Sequence, residues 1–142
     1  MADFEGATRT SYFRVKSPKR LQEIINRCSS EGGQIELTDT VINGKKYYSF
    51  CCEGCITGLR STRADPQDTG SYPKLISALQ SNLYPGEAMA IMEVGHESLR
   101  YLVGAATVIT KNAYEEINIY DCVLKTSQKL LGNPNYKMQM EG

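Results

Sequence analysis

Asn43-Gly44 stands between two extended runs rich in β-branched and aromatic residues, Gln34–Ile42 and Lys45–Cys52. No other short signal in the chain constrains the fold as much. A two-residue type I′ turn needs positive φ at both central positions, and it joins its flanking strands antiparallel. The rest of the chain is consistent with that pairing. Thr10–Lys16 alternates large and polar residues at the period of a half-buried strand. Ser17-Pro18 then offers an N-cap followed by a proline at the first helical position, where the missing N–H costs nothing. Leu21, Ile24, Ile25 and Cys28 fall at i, i+3, i+4 and i+7, one stripe of a helix that Gly32-Gly33 ends.

Residues 53–71 have the composition of an irregular loop, with Gly54, Gly58, Pro66 and Gly70. Tyr72, Leu75, Ile76, Leu79 and Leu83 repeat at helical spacing between a Ser71 cap and a Pro85-Gly86 stop. Ala88–Val94 reads as a strand, Gly95–Ser98 as a tight turn, and Leu99–Thr110 as a long strand buried on both faces, with Gly104 as a bulge or bend. A last strand carries Ile117 and Ile119, and a last helix spans about Asp121–Leu131 with Gly132 as its C-cap. There is no strict βαβ alternation. The prediction is a single α+β domain over residues 1–142, with a mostly antiparallel or mixed sheet of about five to six strands and two to three helices. Residues 1–9 and 133–142 are expected to be frayed tails.

Composition bounds the function. Sixteen basic and sixteen acidic residues cancel, so the overall field does not draw the chain to nucleic acid, and a histone-like role is excluded. No stretch approaches the length of a membrane span, and the start MADFEGATRT has no apolar core of a signal peptide. The expectation is a cytoplasmic protein with no membrane contact. Five cysteines, an odd number, point to reduced thiols rather than a disulfide framework.

Three constellations carry candidate chemistry. Cys51, Cys52 and Cys55 include a C-x-x-C pair, half of a zinc site, while Cys28 and Cys122 read as small buried hydrophobes. The expectation is no cofactor, with zinc at Cys51–Cys55 as the alternative. His96, the single histidine, with Glu97 beside it, is a candidate acid–base pair for an enzyme. Arg100 interrupts an apolar strand, and a hairpin closing around Gly95–Ser98 would set it across from Glu93, either as an ion pair or as an arginine held ready for a ligand. Arg60 and Arg63 in the long loop are candidate contacts for an anionic group. Walker, dinucleotide, zincin and hydrolase motifs are absent. Tyr12, Phe13, Tyr47, Tyr48 and Phe50 interleave with basic residues, but not at the spacing of an RNA-binding octamer, which argues against nucleic acid.

At Tyr12–Lys16 and at Leu83–Ala88 through Glu93–Gly104 the chain resembles small uncharacterised proteins encoded by bacterial phages, plasmids and integrative elements. The resemblance implies an accessory protein of a mobile element. It transfers no catalytic residue. The combined expectation is a non-enzymatic binding protein, for example with an anti-defence or regulatory role, that engages a host protein or a small ligand through Glu93, Arg100, Arg60 and Arg63. A homodimer is compatible with the long apolar strand and the scattered tyrosines.

Overall fold

The computed structural model describes residues 4–61, 67–99 and 101–138, with the side chains of Phe4 and Tyr101 outside the description. Six strands make one antiparallel sheet: β1 (Phe4–Thr10), β3 (Glu36–Ile42), β4 (Lys45–Glu53), β6 (Ala88–Glu97), β7 (Tyr101–Thr110) and β8 (Tyr114–Asn118), in the order β3-β4-β1-β6-β7-β8. A second small sheet pairs β2 (Cys28–Ser30) with β5 (Ile56–Leu59). The helices are α1 (Pro18–Arg27), α2 (Tyr72–Asn82) and α3 (Ile119–Leu131). This is an α+β domain. None of its described helices is long and apolar enough to cross a membrane.

The helix starts follow their caps. Ser17 Oγ accepts from the Arg20 amide and Ser71 Oγ from the Lys74 amide, and each is followed within two residues by proline. Gly132 closes α3 in the left-handed conformation at φ 64°. The predicted hairpin is present, with Asn43 and Gly44 at φ 52° and 76°. Asn82 fastens α2 to the start of α1: its side-chain amide accepts from Ser17 N at 3.0 Å and donates to Ser17 O at 2.9 Å.

The sheet has two unlike faces. One carries Thr8, Thr10, Phe50, Cys52, Met89, Ile91, Thr107 and Ile109, all buried beneath α1 (Leu21, Ile24, Ile25) and α2 (Leu75, Ile76, Leu79). Register places Arg9, Cys51, Met92, Val94, Leu102, Ala106 and Ile117 on the other face, which has no helical layer of that kind.

Several sequence expectations are corrected. Residues 4–9 are not a frayed tail but most of the strand β1, central in the sheet. Their inward positions are Thr8 and Thr10, whose hydroxyls bond Gly54 O and the Phe50 amide, so burial there leaves no hydrophobic signature. The segment after Thr10 is extended but makes only single bridges, Phe13 to Tyr48 and Val15 to Leu83. Helix α1 stops at Arg27 because Cys28 turns into β2. The stretch 53–71 contains β5, whose Gly58 allows a close approach: a Cβ there would stand 2.4 Å from the Ser71 carbonyl carbon. β7 is buried on one face only, and Gly104 makes no bulge. It leaves room for Ile119, whose Cβ would be 3.2 Å from a Gly104 Cβ.

Candidate functional site

The helical layer ends before it reaches β8, and the inner face of β6, β7 and β8 opens there into a cleft of about 400 Å³. Its floor is apolar, Ile56, Ile91 and Ala105, and polar groups converge on it from Glu93, Glu116 and Tyr72. That size and lining fall within the range of small-ligand sites. Alternation along β6 sets Glu93 on the same face as Met89 and Ile91, paired to Thr8 on β1 and Ala105 on β7. Tyr72, the first residue of α2, reaches across the cleft and its hydroxyl lies 2.9 Å from Thr107 Oγ1.

The electrostatics of this cleft are one-sided. Burial pushes the Glu93 carboxyl above the usual carboxylate range, and the charges of Glu31 and Glu116 push it the same way, against a hydrogen bond from Cys55. The Cys55 thiol is pushed up to about 12, first by burial and then by the charges of Glu93 and Glu31. Tyr72 is raised as well, chiefly by burial. Among the described residues the ion pairs are Arg20–Glu23 and Lys46–Asp39, with His96 beside Glu5, so no basic side chain of the described chain answers Glu31, Glu93 or Glu116.

Of the residues singled out in the sequence, Glu93 is in this cleft, but not for the expected reason. The β6–β7 hairpin runs straight through Gly95 to Glu97, opposite Tyr101, and reverses at Ser98 and Leu99, both at positive φ (53° and 59°). Glu93 therefore faces Ala105 rather than Arg100. Arg100 and Arg63 lie outside the described residues. His96 is within β6, not in a turn. Its Nδ1 accepts from the Leu99 amide at 3.3 Å and its Nε2 faces Glu5 at 3.5 Å, so both ring nitrogens are engaged on the open face of the sheet. Glu97 closes the same strand and pairs with Phe4 and Tyr101 in the register, one residue on and on the opposite face, so it does not join His96 in an acid–base pair.

Arg60 is a structural residue. Its Nε and Nη2 approach the carbonyls of Arg27 and Asn26 at 3.4 and 3.5 Å, where the last turn of α1 leaves acceptors free. The larger groove beside it, about 830 Å³ between α1, β2 and β3, is lined mainly by amides and hydroxyls such as Gln22, Asn26, Ser29 and Gln34, with the guanidinium already turned to the helix end.

The cysteines do not form a chelating set. Successive residues of β4 point to opposite faces, so Cys51 and Cys52 diverge, and Cys55 follows the Gly54 turn toward Glu93. Among the described residues no group of three or more His, Cys, Asp or Glu is arranged to hold a metal ion. Cys28 is buried, as expected, and its thiol is pushed up to about 12 by that burial; Cys122 is exposed, contrary to expectation.

Sequence reasoning missed Glu31, Glu116, Tyr72 and Thr107. A signal for the cleft was present: period-2 parity puts Glu93 in line with Met89 and Ile91, a carboxylate at an inward position of an apolar strand. The segments Tyr12–Lys16 and Leu83–Ala88 also meet. The Tyr84 amide donates to Arg14 O at 3.0 Å, and the Arg14 guanidinium lies 3.9 Å from the centre of the Tyr84 ring. Comparisons with protein families, with curated proteins and with solved structures gave no match.

Proposed function

We propose that this chain acts by binding rather than by turnover, as an accessory protein of a mobile element, and that the Glu93 cleft receives a cationic group. One observation carries the reading: Glu93 and Glu116 line a cleft with an apolar floor, the charge of Glu31 and the Cys55 thiol act on Glu93 from beside it, and no described basic residue neutralises the carboxylates. A cation carried on an aliphatic stem matches both parts, the ammonium meeting Glu93 and Glu116 and the stem lying on Ile56, Ile91 and Ala105. The same chemistry comes from a lysine side chain of a host protein or from a small free diamine. Neither source needs a nucleophile, which agrees with the Cys28, Cys52 and Cys55 thiols pushed up by burial and with a histidine engaged in other contacts.

Calorimetric titration at low salt separates the sources. The probes are 1,5-diaminopentane and a blocked Gly-Lys-Gly peptide, with the acetylated-lysine peptide as the neutral control. At least one cationic probe is expected to bind, the neutral one not, and Glu93→Gln to weaken the binding at least tenfold. Preference for the peptide indicates a protein partner and preference for the diamine a small ligand. Equal binding of the acetylated control, or no heat from either cation, overturns the reading.

A stability signature follows from the same carboxyl. Its pKa is higher in the fold than in the unfolded chain, so it costs nothing while protonated and weakens the fold as pH rises through the raised value. Glu93→Gln is expected to melt a few degrees above wild type at about pH 7, with the difference closing at about pH 4 as the wild-type carboxyl protonates. Thermal scans across that range check it, and a variant that melts lower at neutral pH would show that the carboxylate is satisfied in the fold.

A further inference from the structure

Strand β3 forms one edge of the six-stranded sheet, and it lacks the devices that usually keep an edge from pairing. Its seven residues pair with β4 without a register shift, and they include no proline and no lysine. Its one charge on the α1 side, Asp39, is met by Lys46 Nζ at 3.2 Å. The other edge, β8, has five residues, two of them glutamates. Turn and register together say which backbone groups of β3 are free. The two-residue turn makes Ile42 and Lys45 a hydrogen-bonded pair, so Thr40, Thr38 and Glu36 bond to β4, and the N–H and C=O groups of Leu37, Asp39 and Val41 point outward. Tyr48 agrees with this alternation: it stands opposite Asp39 and exchanges its own backbone hydrogen bonds with Phe13, on the side away from β3. Among the described residues none bonds the outward groups.

Two cavities follow this edge in succession. The groove of about 830 Å³ lies along the first half of β3 and is lined by amides and hydroxyls such as Asn26, Ser29 and Gln34. The next, about 530 Å³, lies further along β3 beside the start of α1 and offers the apolar surfaces of Pro18, Leu37 and Tyr48. Gln22, Leu37 and Thr38 line both. On the α1 side Gln22 Nε2 donates to Asn26 Oδ1 at 3.0 Å, which leaves Gln22 Oε1 and Asn26 Nδ2 without a described partner. We propose that β3 is a docking edge for an extended, uncharged peptide segment of a partner protein, which adds a seventh strand to the sheet. Free donors and acceptors on alternate residues are matched by another extended backbone. Residues i and i+2 of that strand point to the same side, about 7 Å apart, so a polar side chain enters the first cavity and an apolar one the second. Charge argues against a second copy of this chain as the occupant. β3 carries Glu36 and Asp39 and no base, so a self-paired edge would bring four carboxylates onto adjoining strands. The Glu93 cleft lies toward the opposite edge of the sheet, so the two sites stand or fall separately.

Amide hydrogen exchange read by NMR is the test, with the blocked peptide Ac-Thr-Val-Thr-Gln-Thr-Val-Thr-NH2 as probe. Its central Gln has a Val two residues away on either side, so one peptide fits in either direction. The probe is expected to slow exchange at Leu37, Asp39 and Val41 at least tenfold and to leave Thr38 and Thr40, already bonded to β4, as they are. The same peptide N-methylated at every residue is expected to have no effect, and this comparison needs no protein variant. Asp39→Pro and Asp39→Ala both lose the Lys46 contact, but only the proline removes an outward N–H, and it is expected to bind the probe at least tenfold more weakly than the alanine variant. No slowing with the probe at about 1 mM overturns the proposal, as does equal binding of the N-methylated peptide or of the two variants. So does protection of the three amides that grows with protein concentration alone, the mark of a second copy on the edge.

Discussion

Phe13→Ala is expected to cost about 4 kcal/mol, the upper range for removing a buried aromatic ring, and to lower the melting temperature by about 12 °C for a chain of this size. The ring has no exposed surface and meets Phe50 edge-on, with centroids 6.1 Å apart and planes at 90°. It also pins the segment that leads from β1 into α1. Phe13 exchanges both backbone hydrogen bonds with Tyr48, at 2.9 and 2.8 Å, and these continue for any side chain. The substitution therefore empties a cavity between sheet and helices without freeing the backbone, and the lining, Phe50, Leu21 and their neighbours, is held by other elements and collapses only partly. Phe13→Leu fills most of that space and is expected to cost about 1.5 kcal/mol. Urea titration of the three proteins checks the order, and an alanine variant within 1 kcal/mol of wild type would mean that the ring does not occupy the core.

Phe13 also shows how far the sequence could be read. The two cores of hydrophobic periodicity, Leu21–Ile25 and Leu75–Leu79, became α1 and α2 with the serine caps that precede them, because stripe, cap and proline all favour the same element. The Asn43-Gly44 hairpin was equally legible, since its turn chemistry is local. β1 was not. Thr8 and Thr10 are buried through hydrogen bonds with residues forty or more positions away, a fact no local pattern carries. β2 and β5 are three and four residues long, and each is extended only because the other pairs with it.

The candidate site divides along the same line. Glu93 is conspicuous as a charge in an apolar strand, but a hairpin turning at Gly95 predicts the wrong partner for it. In the fold Gly95 pairs with Gly6 and Val103, and the strand continues for two more residues. The groups that do surround Glu93 come from four other elements or connections: Glu31, Cys55, Tyr72 and Glu116. Arg60 misled for a related reason. Two arginines in a polar loop look available, and only the fold shows a helix end absorbing one of them.

Asn82→Ala is expected to cost about 3 kcal/mol, from two lost hydrogen bonds, one of which leaves the Ser17 N–H without a partner in a partly buried joint while Ser17 O keeps the Leu21 amide. Asn82 is 4% exposed at the end of α2, and its own carbonyl also accepts from the Lys16 amide at 2.8 Å. That last bond survives the substitution, so the joint should loosen rather than part. Ser17→Ala supplies the contrast. It removes only the hydroxyl that caps α1 through the Arg20 amide, a loss of about 1 kcal/mol, while the Ser17 backbone keeps both bonds to Asn82. Since one change acts on the helix cap and the other on the main chain of the same residue, the double variant should lose close to the sum, about 4 kcal/mol. A double-variant loss no larger than that of Asn82→Ala alone would show instead that the cap depends on the clamp, and that α1 begins at Pro18 because α2 holds Ser17 in place.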